Sequence, residues 1–284
     1  MNAAEILSAA EPKRALFIGE TIIDVYHYGR AQGRPMKESI PCIAHTHTEQ
    51  WQGGIFASAN HARTFCSEVN IASWAMLRKE RYVEGAYLRK LFEFYTAAEV
   101  MRTQPALPLE QYDVVIVNDY GHGMFTPAVI ERICEGARFL AVNVQTNSGN
   151  YGFNLATKWP RADFLCCDEL EARLASQNQA GPIEDSLQML AMTGERVVIT
   201  LGKQGCVGMD AKGTYREAAF PGDVIDTMGA GDALFVIASL VVADVPLADA
   251  MYLGNAAGKL QAQVVGHREP VTKSRLLAYV NPTA

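Results

Sequence analysis

No stretch of this 284-residue chain is apolar over the ~18 residues that a membrane span needs. Met1 to Pro12 carries acidic residues and no basic-then-apolar run, so it does not read as a secretory signal. Cysteine is scattered: Cys42, Cys66, Cys134, Cys166, Cys167 and Cys206 form no CxxC pair and no zinc spacing. That excludes a disulfide framework and reads as reduced thiols of a cytoplasmic protein. Basic charge is in deficit, with 25 Lys+Arg against 31 Asp+Glu, which argues against a nucleic-acid binder. A local cluster of Lys and Arg can still serve an anionic small molecule. Two phosphate motifs are also missing. No GxxxxGK[ST] occurs, since Gly254-Asn-Ala-Ala-Gly-Lys259 runs into Leu260, and no GxGxxG follows a strand. There is no internal repeat, low-complexity tract or heptad run. What is present is 49% hydrophobic residues with 20% charged, enough for a full core. The length suits one large α/β domain or two smaller ones.

Strands and helices alternate along the chain. Arg14–Gly19, Asp113–Asn118, Arg138–Val144, Asp163–Cys167 and Arg196–Leu201 are short apolar or β-branched runs, as buried strands are. Thr126-Pro127 reads as an N-cap with Pro at the first helical position, opening a helix to about Gly136. Further helices are expected over Glu169–Ser176, Ile183–Met192, Gly229–Ala243 and Leu247–Val264. The fold class is therefore α/β: a mostly parallel sheet with helices on both faces. Two segments break the rhythm. Residues 25–54 are polar, with Gly29, Gly33, Pro35 and Pro41, and alternation over Ser39–Thr48 suggests exposed strands. Together with residues 79–96 they are expected to form a small β lid, of the kind that closes over substrate.

Asp226-Thr-Met-Gly-Ala-Gly-Asp-Ala233 is the segment that carries chemistry. Gly229, Ala230 and Gly231 are small enough for backbone N–H groups to approach an anion. The apolar helix that follows points its positive end at the same spot. Asp232 falls in the first turn of that helix. It is either a capping carboxylate or a group that accepts a proton from a hydroxyl nucleophile.

This segment resembles the DTxGAGD signature of the ribokinase-like, or PfkB, carbohydrate kinases. The resemblance extends over most of the chain, in the family's order. Gly19-Glu-Thr-Ile-Ile-Asp24 resembles the GDxxxD segment whose last Asp holds sugar hydroxyls, and Gly53-Gly54 the di-glycine that approaches the sugar. Thr200-Leu-Gly-Lys-Gln-Gly205 resembles the TxGxxG turn beside the nucleotide, and Asn255-Ala-Ala-Gly258 the helix lining the adenine pocket. Val117-Asn-Asp-Tyr-Gly-His-Gly123 and the Tyr26-to-Pro41 stretch are similar to the heptose-phosphate kinase domain of ADP-heptose biosynthesis. The partner nucleotidyltransferase domain of the bifunctional enzymes is not expected within a chain ending at Ala284.

The resemblance implies a ribokinase-like kinase domain over residues 1–284. It implies ATP with Mg2+, a sugar or sugar-phosphate acceptor, and no nucleic-acid or membrane partner. Asp232 is then the base and Gly229, Ala230 and Gly231 the anion hole. Asp24, Gly53, Gly54 and Asp119 meet the sugar. Thr200, Gly202, Gly205, Thr227, Asn255 and Ala256 meet the nucleotide. Glu169 organises magnesium through water, as the last residue of an NxxE motif. Alternatives are a nucleoside or other alcohol kinase of the same family, or a binder of sugar or nucleotide that has lost turnover.

Three features depart from the family. Cys166 stands at the Asn of Cys166-Cys-Asp-Glu169, a poor ligand for a cation that prefers oxygen. Asn143 stands where the heptose kinases have an Asp. Ala57 or Ser58 stands where a sugar-side Asn is usual. The stretch from Gly54 to Asn118 is also short, as though an edge βα unit were missing. That leaves a strand open for pairing with another chain, and a homodimer through lid or edge is expected. Arg30, Arg34, Lys37, Lys79 and Arg81 are a candidate basic rim for a phosphorylated sugar. His45 and His47 share a strand face without a third metal ligand. Cys166 and Cys167 read as packing residues.

Overall fold

The structure, a computed structural model, describes residues 2–35 and 37–281. Met36, within the expected lid, and Met1 and 282–284, within the expected 1–284 span, lie outside the described residues. The chain opens with α1 (Ala3–Ser8), β1 (Arg14–Gly19), β2 (Thr21–Ala31), β3 (Ile43–Gly54), α2 (Ile55–Ala62) and β4 (Glu68–Ala72). It continues through β5 (Ala75–Glu84), β6 (Arg89–Tyr95), β7 (Glu99–Val100), β8 (Val114–Asp119), α3 (Pro127–Gly136) and β9 (Leu140–Val144). Then come β10 (Phe164–Asp168), α4 (Glu169–Ser176), α5 (Ile183–Leu190), β11 (Val197–Thr200), β12 (Cys206–Asp210) and β13 (Gly213–Glu217). The last elements are α6 (Ala230–Val241), α7 (Leu247–Gln261) and α8 (Lys273–Val280).

The main sheet has the order β13-β12-β11-β10-β9-β8-β1-β4. β4, β1, β8, β9, β10 and β11 run parallel, and the β12–β13 hairpin closes the far edge antiparallel. Side chains alternate between the sheet's two faces, as the pleat requires. Ala15, Phe17, Ile116, Phe164 and Val198 pack on one face against α1, α2, α6, α7 and α8. Leu16, Ile18, Val117, Val142 and Ile199 pack on the other against α3, α4 and α5. α6 is buried without a break from Ala233 to Val241, which is why its sequence is apolar all round rather than striped. α3 starts as its sequence dictates: the Thr126 side chain accepts from the Val129 N–H, and Pro127 takes the first helical position. α1, α2, α8, β4 and the β12–β13 hairpin were not among the expected elements. At α1 the signal was present, because Asn2 and Glu5 form a reciprocal capping box.

The second sheet has the order β3-β2-β5-β6, with β7 also on β5. It begins at Thr21 and reaches Val100, wider than the two expected segments. Among the described residues no helix is long and apolar enough to cross a membrane.

Phe235 is fully buried and lies parallel to the Phe164 ring, with centroids 6.0 Å apart. Phe235→Ala should cost about 3–5 kcal/mol of stability, measured by denaturant unfolding.

Candidate functional site

β1 and β8 are adjacent, yet β4, the next strand of this sheet after β1, lies on one side of β1, and the chain then crosses to β8 on the other. Such a reversal opens a crevice at the carboxyl ends of parallel strands, where α/β proteins bind their ligands. Gly19, Asn118 and Asn143 stand in register along that edge. α6 begins there. Gly229 is its N-cap, with φ +74°, and a Cβ on Gly229 would come within 3.0 Å of the His267 ring. Glycine is needed at that position on both counts. The N–H groups of Gly229, Gly231 and Asp232 have no acceptor among the described residues, whereas that of Ala230, expected in the anion hole, is turned to the Thr227 carbonyl at 3.3 Å. Three open donors at the positive end of a helix make an anion hole.

Asp232 is the third residue of α6. Its Oδ1 accepts from Gln145 Nε2 at 2.8 Å and from Asn118 Nδ2 at 3.1 Å. Burial pushes its carboxyl up to about 6, with Asp24 adding to the rise and Gln145, Lys79 and Asn118 opposing it. That places Asp232 close to neutrality, where a general base works well.

Asp24 lies on the inner face of the second sheet, 3% exposed. Its Oδ1 is paired with Arg81, and His267 Nε2 lies 3.5 Å from its Oδ2. Gly53 makes room for this carboxylate, since a Cβ there would sit 2.0 Å from Asp24 Oδ2. Gly54 caps α2 directly after it. Arg81 also pairs with Glu93 of β6 at 2.7 Å, so one guanidinium joins β2, β5 and β6. The same sheet is fastened to the anion-hole loop. Lys90 Nζ lies 2.8 Å from Asp226 Oδ1, and Tyr26 Oη donates to Met228 Sδ at 3.2 Å. Against the burial that would raise it, Lys90 and the N–H groups of Gly266 and Met228 hold the Asp226 carboxyl below its usual range. A cavity of about 230 Å³ lies between the two parts, with Tyr26, Lys90, Asp226 and Thr227 in its wall. Lys79 is in register with Asp24 and faces the same side. Its half-buried ammonium has no carboxylate partner among the described residues; burial lowers its pKa, and Glu93 and Asp24 pull it back up.

Some expected site residues turn out to serve the scaffold. Asp119 has no exposed surface. Its oxygens take Lys158 at 2.6 Å, Trp159 Nε1 at 3.0 Å and the Gly121 N–H at 3.1 Å, so it ties loops together rather than meeting a sugar. Ala256 is fully buried in the core with its neighbours on α7, and Asn255 donates to the Ala218 carbonyl at 2.6 Å, holding that loop. Neither side chain lines an open surface. Thr200 sits beside Asp168 in register at the sheet edge; Gly202 and Gly205 shape the turn after it, and Thr227 is exposed next to the anion hole. The expected basic rim divides. Arg30, Arg34 and Lys37 lie exposed on the second sheet's far end and the loop beyond it, while Lys79 and Arg81 point inward.

Glu169 is also displaced from its expected role. It is the first residue of α4 and turns outward to Arg173 one helical turn on, at 2.9 Å. Glu171 turns inward instead, 8% exposed, accepting from the N–H of Asp168 at 2.7 Å and of Thr146 at 2.8 Å. Burial, and then Asp168, raise its carboxyl well above the usual range, and it also faces Asp232. Asp168 and Glu171 keep the three-residue spacing of the expected motif and put oxygen at both ends. The capping-box spacing Asp-x-x-Glu could have revealed this register. Cys166 and Cys167 are fully buried thiols with pKa values raised by that burial, as packing residues have.

The pfkB family carbohydrate kinase model matches residues 91–274. This chain belongs to the pfkB carbohydrate kinase family. The members of this family are phosphotransferases with a hydroxyl acceptor. The chain is 26% identical over 312 aligned positions to the bifunctional protein HldE of Citrifermentans bemidjiense, covering 92% of this chain and 63% of that one. It thus spans less than two thirds of that relative's length. It is 42% identical over 93 positions to the uncharacterized sugar kinase YegV of Escherichia coli, covering 30% of this chain and 27% of that one. Its fold is ribokinase-like. Arabidopsis thaliana ribokinase complexed with ribose and ATP superposes with a TM-score of 0.72 at 12% identity, covering 96% of this chain and 100% of that one. Escherichia coli phosphofructokinase-2 superposes with a TM-score of 0.72 at 15% identity, covering 94% and 98%.

The Asp232 carboxyl rises on folding from 3.8 to about 6, so the folded protein holds that proton more tightly than the unfolded chain. Its contribution to stability is therefore full below pH 3.8 and is lost as pH rises toward about 6. Asp232→Asn should gain stability relative to the unsubstituted protein between pH 4 and pH 7, read from urea unfolding of both proteins at the two pH values.

Proposed function

We propose that this protein transfers the γ-phosphoryl group of MgATP to a hydroxyl of a sugar or sugar phosphate, with Asp232 as the base. One observation carries the reading: a carboxylate with one free oxygen sits in the first turn of α6 beside three open N–H donors. The acceptor hydroxyl lies between Asp24 and Asp232. Asp232 Oδ2 takes its proton as the oxygen attacks. The Gly229, Gly231 and Asp232 N–H groups stabilise the charge on the group in transit. The second sheet acts as the lid, and its ties through Lys90 and Tyr26 keep water out during transfer.

Asp168 and Glu171 suit the hydration shell of the magnesium that accompanies ATP. Asp168 is exposed and Glu171 is buried, and both would offer carboxylate oxygen to a cation that would neutralise phosphate charge. Lys79 favours a phosphorylated acceptor over a neutral one. A half-buried cation without a partner in the resting protein is compensated when an anionic substrate arrives.

The lid's outer face supports a homodimer. His27, Tyr82 and Phe92 stack across β2, β5 and β6, with ring centroids 4.7 and 4.4 Å apart, and Phe92 and Phe94 are both more than half exposed. Replacing both phenylalanines with Ser should turn a sedimenting dimer into monomer.

The test of the reading is ADP release with MgATP across sugars and sugar phosphates. Turnover on one acceptor class should fall by about 100-fold or more in Asp232→Asn. Absence of ADP release on every acceptor would refute the assignment. Lys79→Met should raise KM for a phosphorylated acceptor by about tenfold or more and leave its neutral analogue little changed.

A further inference from the structure

Asp232 is held by neutral amides, and their polarity is dictated from the backbone. Asn143 Nδ2 donates to the Cys166 carbonyl at 2.9 Å. A carbonyl can only accept, so Asn143 must turn its oxygen the other way. That oxygen accepts from Gln145 Nε2 at 3.0 Å. The second hydrogen on Gln145 Nε2 goes to Asp232 Oδ1 at 2.8 Å. Asn118, on the neighbouring strand β8, donates to the same Oδ1 at 3.1 Å. Asp232 Oδ2 has no donor among the described residues.

We propose that Gln145, set by Asn143, is a positioning residue for the base: it fixes the Asp232 carboxylate through Oδ1 and leaves Oδ2 to take the proton of the acceptor hydroxyl. The proposal rests on the reading of Asp232 as base. It also gives Asn143 a task. The amide found there where a carboxylate was expected is the link between the Cys166 backbone and Gln145. Cys166 contributes only its carbonyl, its thiol being buried in the core. Neutral donors have a consequence that a cation in this place would not. An amide orients the carboxylate and stabilises its charge by a dipole, so the base keeps proton affinity near neutrality. The other titratable groups facing Asp232 are Asp24 from β2, Lys79 from β5, Tyr120 just after β8, Cys166 from β10 and Glu171 from α4. Gln145 and Asn118 supply its two direct hydrogen bonds.

The experiment reads Asp232 itself. The full-length protein, carrying 13C-labelled aspartate carboxyls, is titrated without ligand, with Asp232→Asn used to assign the resonance. Gln145→Met keeps the length and removes the donor, and the Asp232 midpoint should rise by about one pH unit. Gln145→Glu should raise it further, and Asn143→Leu should move it in the same direction through loss of the relay. In turnover the acidic limb of kcat/KM should follow the midpoint and kcat should fall by about tenfold, with KM for ATP little changed. Midpoints unmoved in all three variants would overturn the proposal. So would midpoints that move while kcat and the acidic limb stay put. A midpoint that moves in a protein with no turnover on any acceptor would overturn the kinase reading and leave the amide clamp on Asp232 standing.

Discussion

The site depends on one constraint: a carboxylate must sit at the positive end of a buried helix without being neutralised by a cation. α6 passes through the core, apolar on every side, so its N-terminus is held rigidly at the β1/β8 crevice. A lysine paired directly with Asp232 would hold its carboxyl ionised and weaken it as a proton acceptor. The Gln145 and Asn118 amides hold it instead, and Lys79 acts at longer range. The surrounding features follow from this arrangement. Gly229 bends the chain into the helix, the first-turn N–H groups stay open, and the strand ends deliver amides in register.

The second sheet solves a different problem. It must bring charge to the crevice while covering it. Arg81 does both, pairing with Asp24 on β2 and Glu93 on β6. Asp24 is thereby committed to the integrity of the second sheet. Arg81 thus takes the near carboxylates, and Lys79 has none within ion-pair distance among the described residues. An unpaired inward lysine coexists with a chain of net charge -6, because local placement rather than total charge sets the field at a site.

Most of the parallel sheet was legible because its strands are buried on both faces and read as short β-branched runs. Thr126-Pro127 and the apolar run after Gly231 fixed two helices through capping and composition alone. α2 and β4 are short and gain their order from packing against β1 or α6 rather than from a strong local pattern, and α1, though it carries a capping box, is only six residues long. At the site, the segment 226–233 was legible because glycine spacing and a following helix have direct physical meaning. Asp119, Asn255 and Ala256 were assigned to ligands by resemblance, and burial shows them holding loops and core. The NxxE spacing points to Glu169, but the Asp168–Glu171 capping box and the Glu169–Arg173 pair one turn on turn Glu171 inward instead. Gln145 left no local signal, since its importance depends on β9 ending beside α6.

The most direct measurement follows the backbone amides of Gly229, Gly231 and Asp232 by NMR while a non-hydrolysable MgATP analogue is titrated in. The account predicts large shifts at these three amides and slowed hydrogen exchange, because their N–H groups acquire phosphate acceptors. Saturable binding that leaves all three unmoved, with shifts elsewhere, would contradict the claim that the N-terminus of α6 is the phosphoryl site.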